Sequence, residues 1–185
     1  PGGLSWSSQG GGGSGSVTTF VAAIGGGGDQ YAYAVEPTSD GRYVVAGETD
    51  ANGGDMYIAK VTATGSLDSS FGAGGVVTIG DSGAQTAKSI QATSDGGYIV
   101  AGYTSANGGD MYIVKLTSNG SLDAGFGTGG AVAIGDGVSQ VANSIQQTAD
   151  GGYIVAGQTT ANGTDMYIAK LTSNGSLDAG FGTGG

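Results

Sequence analysis

Met56, Met111 and Met166 stand 55 residues apart, and most of their neighbours repeat with them. Residues 82–130 and 137–185 agree at 38 of 49 aligned positions. A first copy, from about Gly27, is more diverged but keeps SDGRYVVAG, DMYIAK and GSLDSSFGAGG. A period of this kind constrains the fold more than any other feature. Each unit must be one supersecondary element that buries its apolar face on its neighbours.

The middle unit divides into four strands. The first is expected over about residues 87–93, followed by a turn at Ser94-Asp95-Gly96-Gly97 that carries the Asp-Gly hairpin signal. The second, residues 98–102, is apolar throughout, as an interior strand covered on both faces should be. Residues 105–109, with Asn107-Gly108, turn the chain again. The third strand, residues 110–116, alternates Met111, Ile113 and Lys115 against Tyr112, Val114 and Leu116. Asn119-Gly120 makes the next turn, and SLDAGFGTGG crosses to a fourth strand at residues 131–134. Gly96 and Gly120 are expected at positive φ. Four antiparallel strands at this period are the signature of a propeller blade or a stacked β-repeat.

Composition agrees. The chain has 42 glycines and only 11% charged residues, and it favours Thr, Ser, Val, Ile and Tyr over helix formers. The fold class is therefore all-β: tandem four-stranded antiparallel blade-like repeats of 55 residues, with no helix longer than about a turn. Two prolines without a Gly-X-Y period exclude collagen.

The strings SIQATSDGGYIVAG, DMYIVKL and SNGSLDAGFGTGG resemble the bacterial delta-60 repeat, a β-propeller-type unit of secreted and surface proteins. The resemblance covers three copies, from roughly Gln30 to the C-terminus, and GSLD-x-x-FG-x-GG is its most specific part. It implies architecture and an extracellular or cell-surface location. It carries no catalytic residues, and three units are fewer than the family usually strings together.

The unit boundaries expose a complementarity. Residues 17–26, VTTFVAAIGG, align with the fourth strand of the other units: Val21 falls on Val76, and Ile24 on Ile79 and Ile134. The chain thus reads as a Gly/Ser-rich tether at 1–16, an orphan fourth strand at 17–26, repeat 1 at 27–81, repeat 2 at 82–136, and repeat 3 at 137–185 without its fourth strand. Either the orphan strand closes a ring within its own chain, or it completes the third unit of a neighbour by strand addition. Propellers ordinarily need roughly four to eight blades, so three close only with strain. The intermolecular contact is heterologous, and where it does not close a ring it makes a filament, with Val17, Phe20, Val21 and Ile24 as the assembly strand. The chain also reads as a fragment of a longer repeat array. Beginning at Pro1 without an initiator Met, it reads as processed or truncated, compatible with secretion.

Chemistry is sparse. With no His and no Cys, Ser-His-Asp, Cys-His and imidazole–metal sites are excluded. Glu36 and Glu48, the only glutamates, lie in the first unit and are not repeated, which disfavours a carboxylate pair for glycoside hydrolysis. No enzymatic activity and no cofactor are expected. Calcium is the one ion to weigh, with Asp55, Asp110 and Asp165 after Gly/Asn-rich loops as candidates and Asp68, Asp123 and Asp178 in the crossover. The same aspartates suit turn-capping, and capping is the favoured reading.

The recurring tyrosines, among them Tyr98, Tyr112, Tyr153 and Tyr167 with Tyr43 and Tyr57, are read as inter-sheet packing before sugar-binding grooves. Phe71, Phe126 and Phe181 are read as plugs of the crossover. Asn119, Asn162 and Asn174 match the glycosylation acceptor pattern and equally suit tight turns. The net charge of −10 leaves no basic footprint for nucleic acid or anionic lipid. No apolar run approaches the ~20 residues of a membrane span. The expected function is that of a non-enzymatic extracellular structural protein whose partner is itself, as a head-to-tail homopolymer. The alternative is a carbohydrate-binding or adhesive propeller module with glycans as partners.

Overall fold

The turns do what their residues require. Gly96 and Gly120 take φ of 84° and 85°, a region in which glycine alone escapes the Cβ clash. Between such turns the structure, a computed structural model describing residues 23–80 and 83–185, forms eleven strands. The first sheet holds β1 (Gln30–Pro37), β2 (Tyr43–Thr49), β3 (Asp55–Val61) and β4 (Val76–Ile79). The second holds β5 (Gln85–Ala92), β6 (Tyr98–Thr104), β7 (Asp110–Leu116) and β8 (Ala131–Ile134). The third holds only β9 (Gln140–Gln147), β10 (Tyr153–Thr159) and β11 (Asp165–Leu171). All pairings are antiparallel between chain neighbours, and the helices of the described residues are single 3₁₀ turns at Ala51–Gly53 and Ala106–Gly108. The expected all-β, blade-like architecture is thus observed.

The third and fourth strands of the middle unit have the expected bounds. The second runs two residues past its expected end at Gly102, to Thr104. Gly102 does not stop the strand; it permits a close approach. A Cβ there would lie 1.8 Å from the Thr86 carbonyl oxygen, where the β5–β6 register slips between Ala87 and Ser89. Gly47 and Gly157 repeat this arrangement against Tyr31 and Val141. A glycine inside a strand marks such a bulge.

Two cores lie between the sheets. In the first, Val44, Ala46, Met56 and Ile58 meet Tyr98, Val100, Val114 and Leu116 of the next sheet. In the second, Ile99, Ala101, Met111 and Ile113 meet Tyr153, Val155, Ala169 and Leu171. Each sheet therefore lays its forward face on the rear face of its successor, and β6 is covered on both sides. The first and third sheets share no substantial contact among the described residues.

Candidate functional site

With no cluster of three or more potential metal-ligating side chains among the described residues, the distinctive surfaces are the seams between units and the two ends of the stack. Each seam uses one recipe. Phe71 and Phe126, in the crossovers after β3 and β7, are wholly buried. Their rings meet Tyr98 and Tyr153 of the following sheet edge-on, at 5.9 Å and 5.8 Å, a favoured geometry for aromatic pairs. The plug reading of these phenylalanines and the packing reading of these tyrosines describe what is seen. Alongside, Gly72 N–H donates to the Asn119 carbonyl and Gly127 N–H to the Asn174 carbonyl, both at 2.8 Å. The Asn-Gly turn of one unit is thereby pinned to the crossover of the unit before it.

Along β1, β5 and β9, the first strands of the units, side chains bridge the sheets. Ala92 N–H donates to Glu36 (3.2 Å), and the equivalent Gln147 N–H donates to Gln91 (2.6 Å). Ile145 N–H donates to the Ser89 hydroxyl at 3.3 Å. Glu48 accepts from the Tyr33 hydroxyl at 2.7 Å and from Thr86. That hydrogen bond, with burial and the adjacent carboxylate, pushes the Tyr33 hydroxyl up to about 12. Lys88 Nζ sits 3.8 Å from the Tyr33 ring centre, so a cation–π contact closes this polar group. Both glutamates therefore work at the first seam. Sequence reasoning missed this role because Glu36 and Glu48 have no acidic counterparts in the other units, and only a residue-by-residue comparison of units points to it.

At one end of each unit a basic side chain clamps two aspartates. Lys115 Nζ donates to Asp95 (2.5 Å) in the hairpin turn and to Asp123 (2.7 Å) in the crossover. Lys170 does the same with Asp150 (2.7 Å) and Asp178 (2.8 Å). In the first unit Arg42 intervenes, binding Asp40 at 2.6 Å and Asp68 at 3.3 Å. Burial alone would raise the Asp95 carboxyl, but hydrogen bonds from Lys115, Thr93 and Gly97 bring it down to about 2. Asp68, Asp123 and Asp178 also accept backbone N–H groups two residues on, at 3.0–3.1 Å. This is the turn-capping chemistry expected of them.

The calcium candidates recur once in each unit. Asp55, Asp110 and Asp165 each open the third strand of a different sheet, opposite Thr49, Thr104 and Thr159. Asp110 is buried, Asp55 half-buried and Asp165 exposed. Asn119, Asn162 and Asn174 are all exposed. Asn119 and Asn174 turn their Oδ1 inward, accepting from Ser121 and Ser176 N–H at 3.1 and 3.2 Å. Of the assembly strand, Val17, Phe20 and Val21 lie outside the described residues, as does the segment 1–16. Ile24 is described: it lies in no strand and lines a cleft on the rear of the first sheet with Tyr31, Val45, Tyr57 and Ala59.

The ends of the stack are unlike its middle. Met56 and Met111 are wholly buried, yet the equivalent Met166 is 91% exposed and Ile168 52%. At the other end Val35 and Tyr43 are exposed, although their equivalents Ile90, Ile145, Tyr98 and Tyr153 are buried. Among the described residues the outer edge of β11 carries no strand partner. Lys170 N–H donates to the Gly185 carbonyl (2.8 Å), as Lys115 does to Gly130 where β8 is about to begin. Among the described residues, therefore, the forward face of the third sheet and the outer edge of β11 have no partner sheet or strand, and the rear face of the first sheet has no partner sheet, although Ala59 and Val61 on it are buried.

No curated protein matches the chain significantly. One family does match, at residues 38–71, 93–126 and 148–181, once per unit and over more than half of the chain. Each match runs from the turn before the second strand of a unit, through its second and third strands, to the phenylalanine that plugs the crossover. On that ground the chain belongs to the family described as "Domain of unknown function (DUF5122) beta-propeller".

Proposed function

We propose that the protein is a non-enzymatic, extracellular structural subunit that assembles head to tail, residues 21–24 of one copy supplying the fourth strand of the third unit in the next. The observation that carries this reading is that, among the described residues, the outer edge of β11 has no strand partner; in the sequence, residues 17–26 align with the fourth strand of the other two units. In the complete units Met56 pairs with Ile79 and Ala59 with Val76. The same offsets pair Met166 with Ile24 and Ala169 with Val21 of a neighbour. An unpaired edge strand is a template for another chain, and main-chain hydrogen bonds supply the affinity. Burying Val21 and Ile24 adds on the order of 3–6 kcal/mol. The resemblance to repeats of secreted and surface proteins supports the extracellular placement.

The test is electron microscopy of the purified full chain beside a variant lacking residues 1–26. Ordered linear polymers are expected from the first and not from the second. The same polymers from both would defeat the donor-strand reading.

One observation favours a second reading. A polar groove between the second and third sheets is lined by Tyr112, Thr128, Asn174 and Ser176, an aromatic and amide set suited to a sugar. Glycan-array binding by unassembled protein, lost in Tyr112→Ala, would place a carbohydrate module first.

A further inference from the structure

The end faces carry an inference that deepens the head-to-tail reading and rests on it. We infer that the two end faces are one interface split between copies: the forward face of the third sheet stacks on the rear face of the first sheet of a second copy. The partner surface is read from the molecule itself, because the same interface occurs twice within the chain.

The match can be followed position by position. Met111 lies against Gly157 of the next sheet, where a Cβ would come within 2.9 Å of its methyl group. Met166, one repeat later, would meet Gly47 of the second copy. Phe126 packs on Tyr153; Phe181, half-buried in the chain, would pack on the exposed Tyr43. Gly127 N–H donates to Asn174; Gly182 N–H would donate to the carbonyl of Thr64. The Ser144 hydroxyl is placed to take the Val35 N–H as Ser89 takes that of Ile145.

Connector length makes this stack continuous with strand donation. β4 reaches β5 through residues 80–84, and β8 reaches β9 through residues 135–139. Residues 25–29 join Ile24 to β1 over the same length. A neighbour that donated residues 21–24 to β11 would therefore set its own first sheet on the third, in the relation the internal sheets already have. Ile24 is on the correct side: it lies on the rear of the first sheet, as Ile79 and Ile134 lie in the cores between sheets. One contact is lost. Pro37 stands where Ala92 and Gln147 donate to Glu36 and Gln91, and proline has no N–H to give.

The test uses two variants of the full chain, each altered only where the side chains are exposed. The forward variant is Met166→Glu with Ile168→Glu; the rear variant is Val35→Glu with Tyr43→Glu. Circular dichroism checks that both fold. A buried, unpaired carboxylate is costly, so each alone should need roughly 100-fold more protein to assemble, or more. Each keeps one intact face, so an equimolar mixture should sediment as a capped heterodimer while the separate variants sediment as monomers. If wild type polymerises and both variants polymerise equally well, the stacking inference is overturned and strand donation stands. Monomeric variants whose mixture stays monomeric would overturn the heterologous pairing. Wild type that never assembles would remove the head-to-tail reading itself, and this inference with it.

Discussion

Met111 is fully enclosed between two sheets, whereas Met166, its repeat equivalent, is 91% exposed. The same letter in the same strand position therefore has two energetic meanings. Met111→Ala should cost about 2–5 kcal/mol through lost burial and the cavity left behind. Met166→Ala should fall within about 0.5 kcal/mol of zero, as for other exposed positions. Chemical denaturation of unassembled protein measures both, and similar losses at the two sites would contradict the open forward face.

Two glycines make a second comparison. Gly96 and Gly120 share positive φ, but a Cβ on Gly96 meets open space. On Gly120 it would lie 2.8–3.0 Å from Val77, Gly72 and Phe71. Gly96→Ala should cost about 1 kcal/mol from backbone strain. Gly120→Ala should cost clearly more, because the first seam must also open. Equal melting temperatures for the two variants would argue against the pinned turn.

At the scale of elements, the lysine clamps hold a hairpin turn, a third strand and a crossover together, contacts that hydrogen bonding between strands does not supply. Their pH signature has a definite sign. The Asp95 carboxyl is held at about 2 against an ordinary 3.8, and Asp123 and Asp178 are also lowered, mainly by their lysines. A carboxylate with a depressed folded pKa contributes stability above its unfolded value and loses it as pH falls through the folded one. Melting temperature should therefore decline between about pH 4 and pH 2. Lys115→Met should flatten that decline, since the partner that lowers Asp95 and Asp123 is gone. An unchanged pH profile in Lys115→Met would show that the clamp contributes nothing. The clamped side chains are partly solvated, so the effect is modest per clamp.

At the scale of the molecule, three sheets make a short one-dimensional stack in which, among the described residues, the substantial contacts are between successive sheets, and stability is then uneven. β6 and β7 are covered on both faces. β11 has an exposed forward face and, among the described residues, an open edge. Amide hydrogen exchange should be slowest in β6 and β7 and fastest, among third strands, in β11. On assembly β11 should gain the most protection. Uniform protection in the unassembled chain would be inconsistent with a stack open at both ends.

Much of this was legible in the letters. Apolar runs bounded by Asp-Gly and Asn-Gly placed the strands, because turn chemistry and strand pairing are local and recur with the repeat. The bounds of β7 and β8, the positive φ at Gly96 and Gly120, and the plugging phenylalanines all follow from such local rules. The bulge opposite Gly102 was not legible, since a glycine read alone marks an ending as well as a close approach. Nor was the division of each sheet into forward and rear faces. Alternation separates Met111 from Tyr112 but does not say which sheet each will meet, or that Met166 and Tyr43 are left uncovered. Those facts depend on the order in which sheets stack, and stacking joins residues a full repeat apart, beyond the reach of any local pattern.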